Sequence, residues 1–259
     1  MPSPTDASCQ PRLGPLGWLR ALPGWLCALP CRLRALRRPT VADGLLILFA
    51  RTLVRLLHGG GSIDDPAIRA AMETPGPVII VGNHTAGIDP ILVQLTTRRP
   101  IRWFMAADMM SPWANWFWRY ERIIPVHYDA RDARGAVEAI RHLRDGHALG
   151  LFPEGGIERP PGAIRPFLGG FGSMAVKTGA RVVLVAIEGT PKCRTAAGSL
   201  FKPSRARVRL VKVFDPPVTG AGVGTTAAEA LVKEVREALA EALDWPLDDT
   251  PLEHLAGRG

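Results

Sequence analysis

The hydrophobic residues of the chain fall into short runs separated by glycine, proline and polar turns. Dense runs rich in branched apolar residues predict strands at 77–82, 101–105, 123–126, 147–152, 181–187 and 206–213. Apolar residues at helical spacing predict helices at 89–98, 133–145, 170–178 and 226–243. Strands that alternate with helices predict an α/β fold, with a mixed, mostly parallel sheet flanked by helices.

The apolar run at residues 44–57 carries one polar stripe, because Arg51, Arg55 and His58 are three or four positions apart. Leu, Ile, Val and Phe occupy most of the other positions. The pattern is typical of a helix that lies in a membrane interface with its apolar side down. An amphipathic helix packed on the protein's own core has the same pattern, so both alternatives stay open.

The stretch before this run mixes tryptophan and leucine with arginine. Trp18 and Trp25 lie among several arginines, a combination that suits the headgroup zone of a bilayer. We therefore expect residues 1–60 to form a basic, amphipathic, membrane-associating helical segment. An arginine-rich start with few acids is also typical of a targeting peptide. The interpretation divides the rest into an α/β domain at 61–220 and a C-terminal amphipathic helix with its tail at 221–259.

The charge of the chain is unevenly distributed. The formal net charge is +8, with +6 in residues 1–60 and −5 in residues 221–259. This asymmetry favours an anionic partner at the front and middle of the chain. The four cysteines give no disulfide framework, no CxxC pair and no Cys/His cluster at zinc spacing, which favours a reducing compartment and predicts no metal site.

A histidine and an aspartate follow the predicted strand at 77–82. His84 lies in the loop after the strand, and Asp89 lies five positions later and is followed by Pro90. Ligands of open α/β sheets bind at the carboxyl ends of strands. We expect the small residues between the pair to fold back, so that Asp89 accepts the Nδ1 hydrogen of His84 and leaves Nε2 as a base. Asp89 is also expected to be the N-cap of the helix, with Pro90 in its first position. By spacing alone, a plain loop histidine and a capping aspartate are the favoured explanation of the pattern.

A second strand end carries a carboxylate and two glycines. Glu154, Gly155 and Gly156 follow the predicted strand at 147–152, and a glycine turn can present backbone N–H groups to an anion. Arg159 and Arg165 come next and can grip a phosphate as bidentate forks, or can simply be solvated.

Both motifs resemble the signatures of the glycerophospholipid acyltransferase family. Residues 83–89, NHTAGID, resemble the NHxxxxD box, and residues 152–155, FPEG, resemble the second signature at about the usual distance downstream. The resemblance covers roughly residues 76–214. It implies transfer of a fatty-acyl chain from acyl-CoA or acyl carrier protein to a hydroxyl of a lysoglycerophospholipid such as 1-acyl-glycerol-3-phosphate. It also implies a peripheral or monotopic enzyme on the cytoplasmic face, with no cofactor, no metal and no nucleic-acid partner.

The resemblance assigns roles to individual residues. His84 is implied as the general base, and Asp89 as the group that orients it. The implied acceptor site consists of residues from both boxes together with the two downstream arginines: Asn83, Phe152, Pro153, Glu154, Gly155, Gly156, Arg159 and Arg165.

Several cations of the family pattern are displaced or absent. The family often continues FPEG with Thr-Arg-Ser, whereas this chain has Gly156-Ile157-Glu158 and its next arginine is Arg159. A lysolipid with another head group, such as a lyso-amino-acid lipid, therefore stays an alternative acceptor. A membrane lipid-binding protein without activity is the alternative from another class.

An aromatic group lies between the two boxes. Trp113, Trp116, Phe117, Trp118 and Tyr120 favour packing between helix and sheet, with an entry wall for an acyl chain as the alternative.

Overall fold

Six strands form one sheet in the middle of the structure, a computed structural model. They are β1 (Val78–Gly82), β2 (Ile101–Ala106), β3 (Ile124–Val126), β4 (Ala148–Leu151), β5 (Arg181–Glu188) and β6 (Arg207–Phe214). The structure describes residues 41–59, 65–126, 134–157, 162–193, 195–216 and 224–250. The strand order is β3-β2-β4-β1-β5-β6, in which β6 runs antiparallel to β5 and the other neighbours are parallel. The predicted mixed, mostly parallel sheet is confirmed.

Helices cover both faces of this sheet. Within the described ranges they are α1 (Val41–Leu57), α2 (Pro66–Glu73), α3 (Asp89–Leu95), α4 (Asn115–Tyr120), α5 (Arg134–Arg144), α6 (Gly170–Thr178) and α7 (Gly224–Leu243). Short 3-10 turns lie at Ala107–Met109, Pro112–Ala114 and Ala197–Leu200.

The side chains of β1 point alternately to the two faces of the sheet and take part in two separate core layers. Ile79 and Val81 pack with α5, α6 and α7 on one face, whereas Val78 and Ile80 pack with α1, α2 and α3 on the other. All five residues of β1 are buried, as expected for a central parallel strand. This arrangement puts the loop after β1 in the middle of the carboxyl edge of the sheet.

Helix α1 contacts the body through a narrow strip. Val54 is buried in the core, and the buried His58 pairs through Nδ1 with Ser204 Oγ at 2.7 Å. Leu45 and Phe49, by contrast, are each 62% exposed. The side that packs on the body therefore includes part of the predicted polar stripe, and the apolar side stays uncovered. No helix among the described residues has the length and hydropathy to cross a bilayer.

Helices of the predicted N-terminal and C-terminal segments, α1 and α7, belong to the same compact unit as the sheet. Residues 39–259 group into one compact unit, which includes α1, and α7 buries Leu231, Val235 and Leu239 in the core below the sheet. Residues 1–40, with Trp18 and Trp25, lie outside the described residues.

Two predictions about local structure are wrong. Asp89 is the first residue of α3 rather than its N-cap, because Ile88 occupies the cap position and the Asp89 carboxylate turns back toward the preceding loop. Core packing of the whole aromatic group is also wrong, because Trp113 is 81% exposed and Trp116 is 69% exposed. Trp113 lies in the 3-10 turn at Pro112–Ala114 and Trp116 lies in α4, and both side chains are open to solvent.

Candidate active site

The carboxyl ends of three adjacent parallel strands lie in one region of the sheet edge. β1 lies between β4 and β5, so the loop at 83–88 has the turn at 152–156 on one side and residues 189–193 on the other. Both sequence motifs therefore meet here, although about seventy residues separate them. This is the position where open α/β sheets bind ligands.

His84 and Asp89 form a hydrogen-bonded pair at the centre of this region. Nδ1 of His84 lies 2.9 Å from Oδ2 of Asp89, as the spacing of the two residues predicts. The Asp89 side chain is fully buried, whereas 16% of the His84 side chain is exposed. With the carboxylate as acceptor, the ring hydrogen sits on Nδ1 and the lone pair on Nε2. A buried acid thus orients an imidazole that reaches solvent.

The loop between the two residues folds back around the same carboxylate oxygen. The backbone N–H groups of Thr85 and Ala86 donate to Oδ2 of Asp89 at 2.8 and 2.9 Å. Gly87 permits the chain at Ala196 to pack closely against this loop, because a Cβ at Gly87 would lie 2.7 Å from the carbonyl carbon of Ala196. Thr85 also pairs with Thr190 after β5, with 2.6 Å between their hydroxyl oxygens. Asp89 therefore holds the loop through hydrogen bonds to its backbone, and the chain that follows β5 holds it through the contact of Thr190 with Thr85.

Asn83 ties the end of β1 to β5. Its amide Nδ2 donates to the Ile187 carbonyl at 2.8 Å, and its Oδ1 accepts the Ile187 N–H at the same distance. The side chain is fully buried. The structure thus uses both ends of the amide to fix the strand end, at a site the resemblance assigns to the acceptor.

Glu154 links the two motifs. Its carboxylate is buried and accepts the backbone N–H of His84 through Oε1 and that of Arg165 through Oε2, both at 3.3 Å. Gly155 closes the turn with a φ of 80°, which favours glycine, and its N–H donates to the Phe152 carbonyl at 3.1 Å. Glu154 therefore positions the backbone of the histidine loop.

The rest of this motif surrounds the turn. Phe152 lies face to face with the His84 imidazole, and the carbonyl of the buried Pro153 accepts the Leu168 N–H at 2.8 Å. Gly156 is half-buried just beyond the turn. The motif thus contributes a ring and a rigid turn beside the imidazole.

The structure describes one of the two arginines that were predicted to bind phosphate. Arg159 lies outside the described residues. Arg165 contacts the C-terminal tail, because its Nη1 lies 2.5 Å from Oδ2 of Asp248 and 3.3 Å from the Thr250 carbonyl. The Thr250 backbone N–H, with Arg165 nearby, lowers the pKa of Asp248, so this partner stays ionised. A role of Arg165 in phosphate binding remains a prediction.

Sequence reasoning did not identify three contributors to this region. Thr190 and Ile187 follow from the pairing of β1 with β5, which no local pattern reports. Trp103 stacks behind Phe152, and the one signal for it is a glycine on a neighbouring buried strand, Gly150. Among the described residues, no group of three His, Cys, Asp or Glu side chains has the geometry of a metal site.

Comparisons with known proteins give one family model and one curated relative that match part of this chain. The family model described as Acyltransferase matches residues 68–188, just under half of the chain. A 1-acyl-sn-glycerol-3-phosphate acyltransferase of Borreliella burgdorferi is 34% identical over 116 residues, which are 44% of this chain and 46% of that protein. The match thus spans about half the length of the curated relative.

A solved structure has the same fold. The crystal structure of the 1-acyl-sn-glycerophosphate (LPA) acyltransferase PlsC from Thermotoga maritima aligns with a TM-score of 0.58 at 21% identity. The alignment covers 85% of this chain and 88% of that one.

Proposed function

We propose that this chain, whose residues 68–188 match the Acyltransferase family model, transfers a fatty-acyl chain from an acyl thioester to a hydroxyl of a lysoglycerophospholipid. The observation that carries the proposal is the His84–Asp89 pair, in which a fully buried carboxylate orients a partly exposed imidazole at the carboxyl end of β1. The name of the Borreliella burgdorferi relative favours 1-acyl-glycerol-3-phosphate as the acceptor.

The chemistry needs one base and an acyl donor. Nε2 of His84 takes the proton of the acceptor hydroxyl as its oxygen attacks the thioester carbonyl carbon, and a C–O bond forms. The tetrahedral intermediate collapses with cleavage of the C–S bond, and the leaving thiolate takes the proton back from Nε2. Asp89 stabilises the imidazolium between these two steps. The sulfur leaves on coenzyme A or on acyl carrier protein, and the mechanism needs no cofactor or metal.

Helix α1 supplies the proposed contact with the membrane. The exposed Leu45, Leu48 and Phe49 form an apolar surface on a helix whose opposite side is anchored by Val54. Such a helix binds at the headgroup boundary through its apolar surface. The positive charge of residues 1–60 favours anionic lipids. We place the protein at the cytoplasmic face as a peripheral or monotopic enzyme, in keeping with its cysteine content.

The test is turnover with a panel of acceptors. The purified protein is incubated with labelled acyl-CoA or acyl carrier protein and with lysolipids of different head groups, in vesicles, and the lipid products are resolved. We expect a diacyl product from wild type and at least a roughly 100-fold lower rate from His84→Ala at an unchanged melting temperature. Release of free fatty acid in place of a diacyl lipid would indicate hydrolysis. Lipid binding without turnover would favour the inactive lipid-binding alternative.

A further inference from the structure

Three aromatic rings stack in a column that ends at the catalytic imidazole. The centroids of the His84 and Phe152 rings lie 4.1 Å apart with an angle of 8° between their planes. The Trp103 ring lies behind Phe152, at 5.1 Å and 17°. The column passes from β2 through the end of β4 to the loop after β1, so its members come from three strands that are neighbours in the sheet.

Gly150 makes room for the base of this column. Trp103 and Gly150 are register partners on β2 and β4. A Cβ at Gly150 would lie 2.7 Å from two ring atoms of Trp103, which is closer than real Cβ atoms approach. The indole therefore lies flat across β4 and reaches Phe152, two residues further along. Trp103 is 8% exposed, so the surrounding core holds the indole in place.

The imidazole needs such a support because, among the described residues, one hydrogen bond is the other contact that orients it. The contact from Nδ1 to Asp89 fixes the position of one ring atom, but small coupled changes of χ1 and χ2 still allow a rotation that tilts the ring plane about that atom. A parallel ring on one face removes this rotation. The direction in which Nε2 points then depends on the plane of Phe152, and that plane depends on Trp103.

We propose that Trp103 is a positioning residue, which acts through Phe152 to fix the plane of the His84 imidazole and the direction of Nε2 toward the acceptor hydroxyl. The inference rests on the proposed function, in which His84 is the general base. Misplacement of a reacting group by about 1 Å can cost roughly 100-fold in rate, so loss of the indole should act on kcat rather than on acceptor binding.

The kinetic test compares Trp103→Leu and Trp103→Phe with Phe171→Leu. Phe171 is a fully buried aromatic residue in the core on the opposite face of the sheet, so its variant controls for lost packing. We expect Trp103→Leu to lower kcat about 10- to 100-fold with the acceptor KM within about twofold. Trp103→Phe keeps a ring behind Phe152 and should recover most of that loss. A kcat in Trp103→Leu within about threefold of that in Phe171→Leu overturns the proposal.

A second measurement does not depend on turnover. In the proton NMR spectrum, the Phe152 ring current shifts the imidazole Hε1 resonance of His84, which is assigned by its loss in His84→Gln. We expect this resonance to move toward its random-coil position in Trp103→Leu and in the milder variant Gly150→Ala, and to stay in place in Phe171→Leu. An unchanged resonance in both variants overturns the proposal. A shifted resonance in a wild type without turnover overturns the proposed function alone, since the stack forms without substrate.

Discussion

Asn83 and Ile187 exchange two hydrogen bonds of 2.8 Å, which join the end of β1 to β5 in the manner of a strand pair. The side chain of Asn83 thus continues the sheet by one step beyond the strand. Because the loop that carries His84 begins at the next residue, its starting point is fixed by β5.

Replacement of Asn83 by alanine should lower stability and kcat together. The change leaves the buried N–H and C=O of Ile187 without partners, at a cost of about 1–3 kcal/mol in the free energy of unfolding. Urea denaturation and steady-state kinetics measure the two effects. Gln94→Ala is the matched control, because its amide also bonds the backbone at both ends, at Ile101 and Arg99, but away from the site. A raised acceptor KM with unchanged stability in Asn83→Ala would contradict a positioning role.

The variant Asp89→Asn should separate the effect of the negative charge of Asp89 on catalysis from the effect of its side-chain shape on the loop. The asparagine oxygen can still accept the N–H groups of Thr85 and Ala86, so the loop keeps its fold. The neutral amide does not stabilise the imidazolium, and we expect kcat to fall at least about 100-fold at a nearly unchanged melting temperature. Single-turnover kinetics with excess enzyme measure the chemical step. A rate within about threefold of wild type would remove Asp89 from the mechanism.

Glu154→Gln should destabilise the junction of the two motifs. One end of the amide would present N–H to the backbone N–H of either His84 or Arg165, and the free energy of unfolding should fall by about 1–3 kcal/mol. Glu188→Gln is the control, since that carboxylate forms a half-exposed ion pair with Arg209, and such pairs contribute about 0–1 kcal/mol. Equal losses in the two variants would mean that Glu154 does not support the loop.

The pH dependence of stability should show the titration of His142. Burial lowers the pKa of His142 from its ordinary 6.5 to about 4, and the neighbouring His147 also lowers it. Between these values the unfolded chain binds more protons than the folded one, so stability is full above pH 6.5 and is lost as the pH falls toward 4. His142→Gln retains a donor for the Ala148 carbonyl without the titration. Its melting temperature should fall less than that of wild type between pH 6.5 and 4, and parallel curves would reject this assignment.

The apolar side of α1 should control binding to anionic vesicles. Leu45→Asp with Phe49→Asp places two carboxylates on a surface that is 62% exposed at each position, so the fold should tolerate them. We expect much weaker co-sedimentation with vesicles that contain anionic lipid. Val137→Asp, a 46% exposed position on α5 on the other face of the sheet, is the control. Equal sedimentation of both variants would refute α1 as the contact surface.

Local pattern was sufficient to predict much of this fold. Helix α6 has its predicted bounds, Gly170–Thr178, because Gly179 ends it with a φ of 66°. The spacing of His84 and Asp89 also predicted their contact, since four small or flexible residues between them can turn back. These features depend on residues that are close in sequence.

Predictions failed where distant residues decide the outcome. Asp89 was expected to cap α3, but N–H groups of the preceding loop and the His84 ring compete for its carboxylate. Trp113 and Trp116 were expected in the core, but the short helix that carries Trp116 turns it outward. The place of Trp103 in the ring column depends on the register of β2 with β4, which sequence spacing does not encode.

The amide link from β1 to β5 also bears on how the chain finds its correct pairing. A slip of β1 by one residue would exchange its apolar side chains between the two apolar core layers, and a slip by two would return each to its own layer. That slip would carry Asn83 about 7 Å past Ile187 and leave polar groups of both unpaired in the interior. Burial of apolar residues does not distinguish these alignments of the central strand, and the pairing of Asn83 with Ile187 favours one of them.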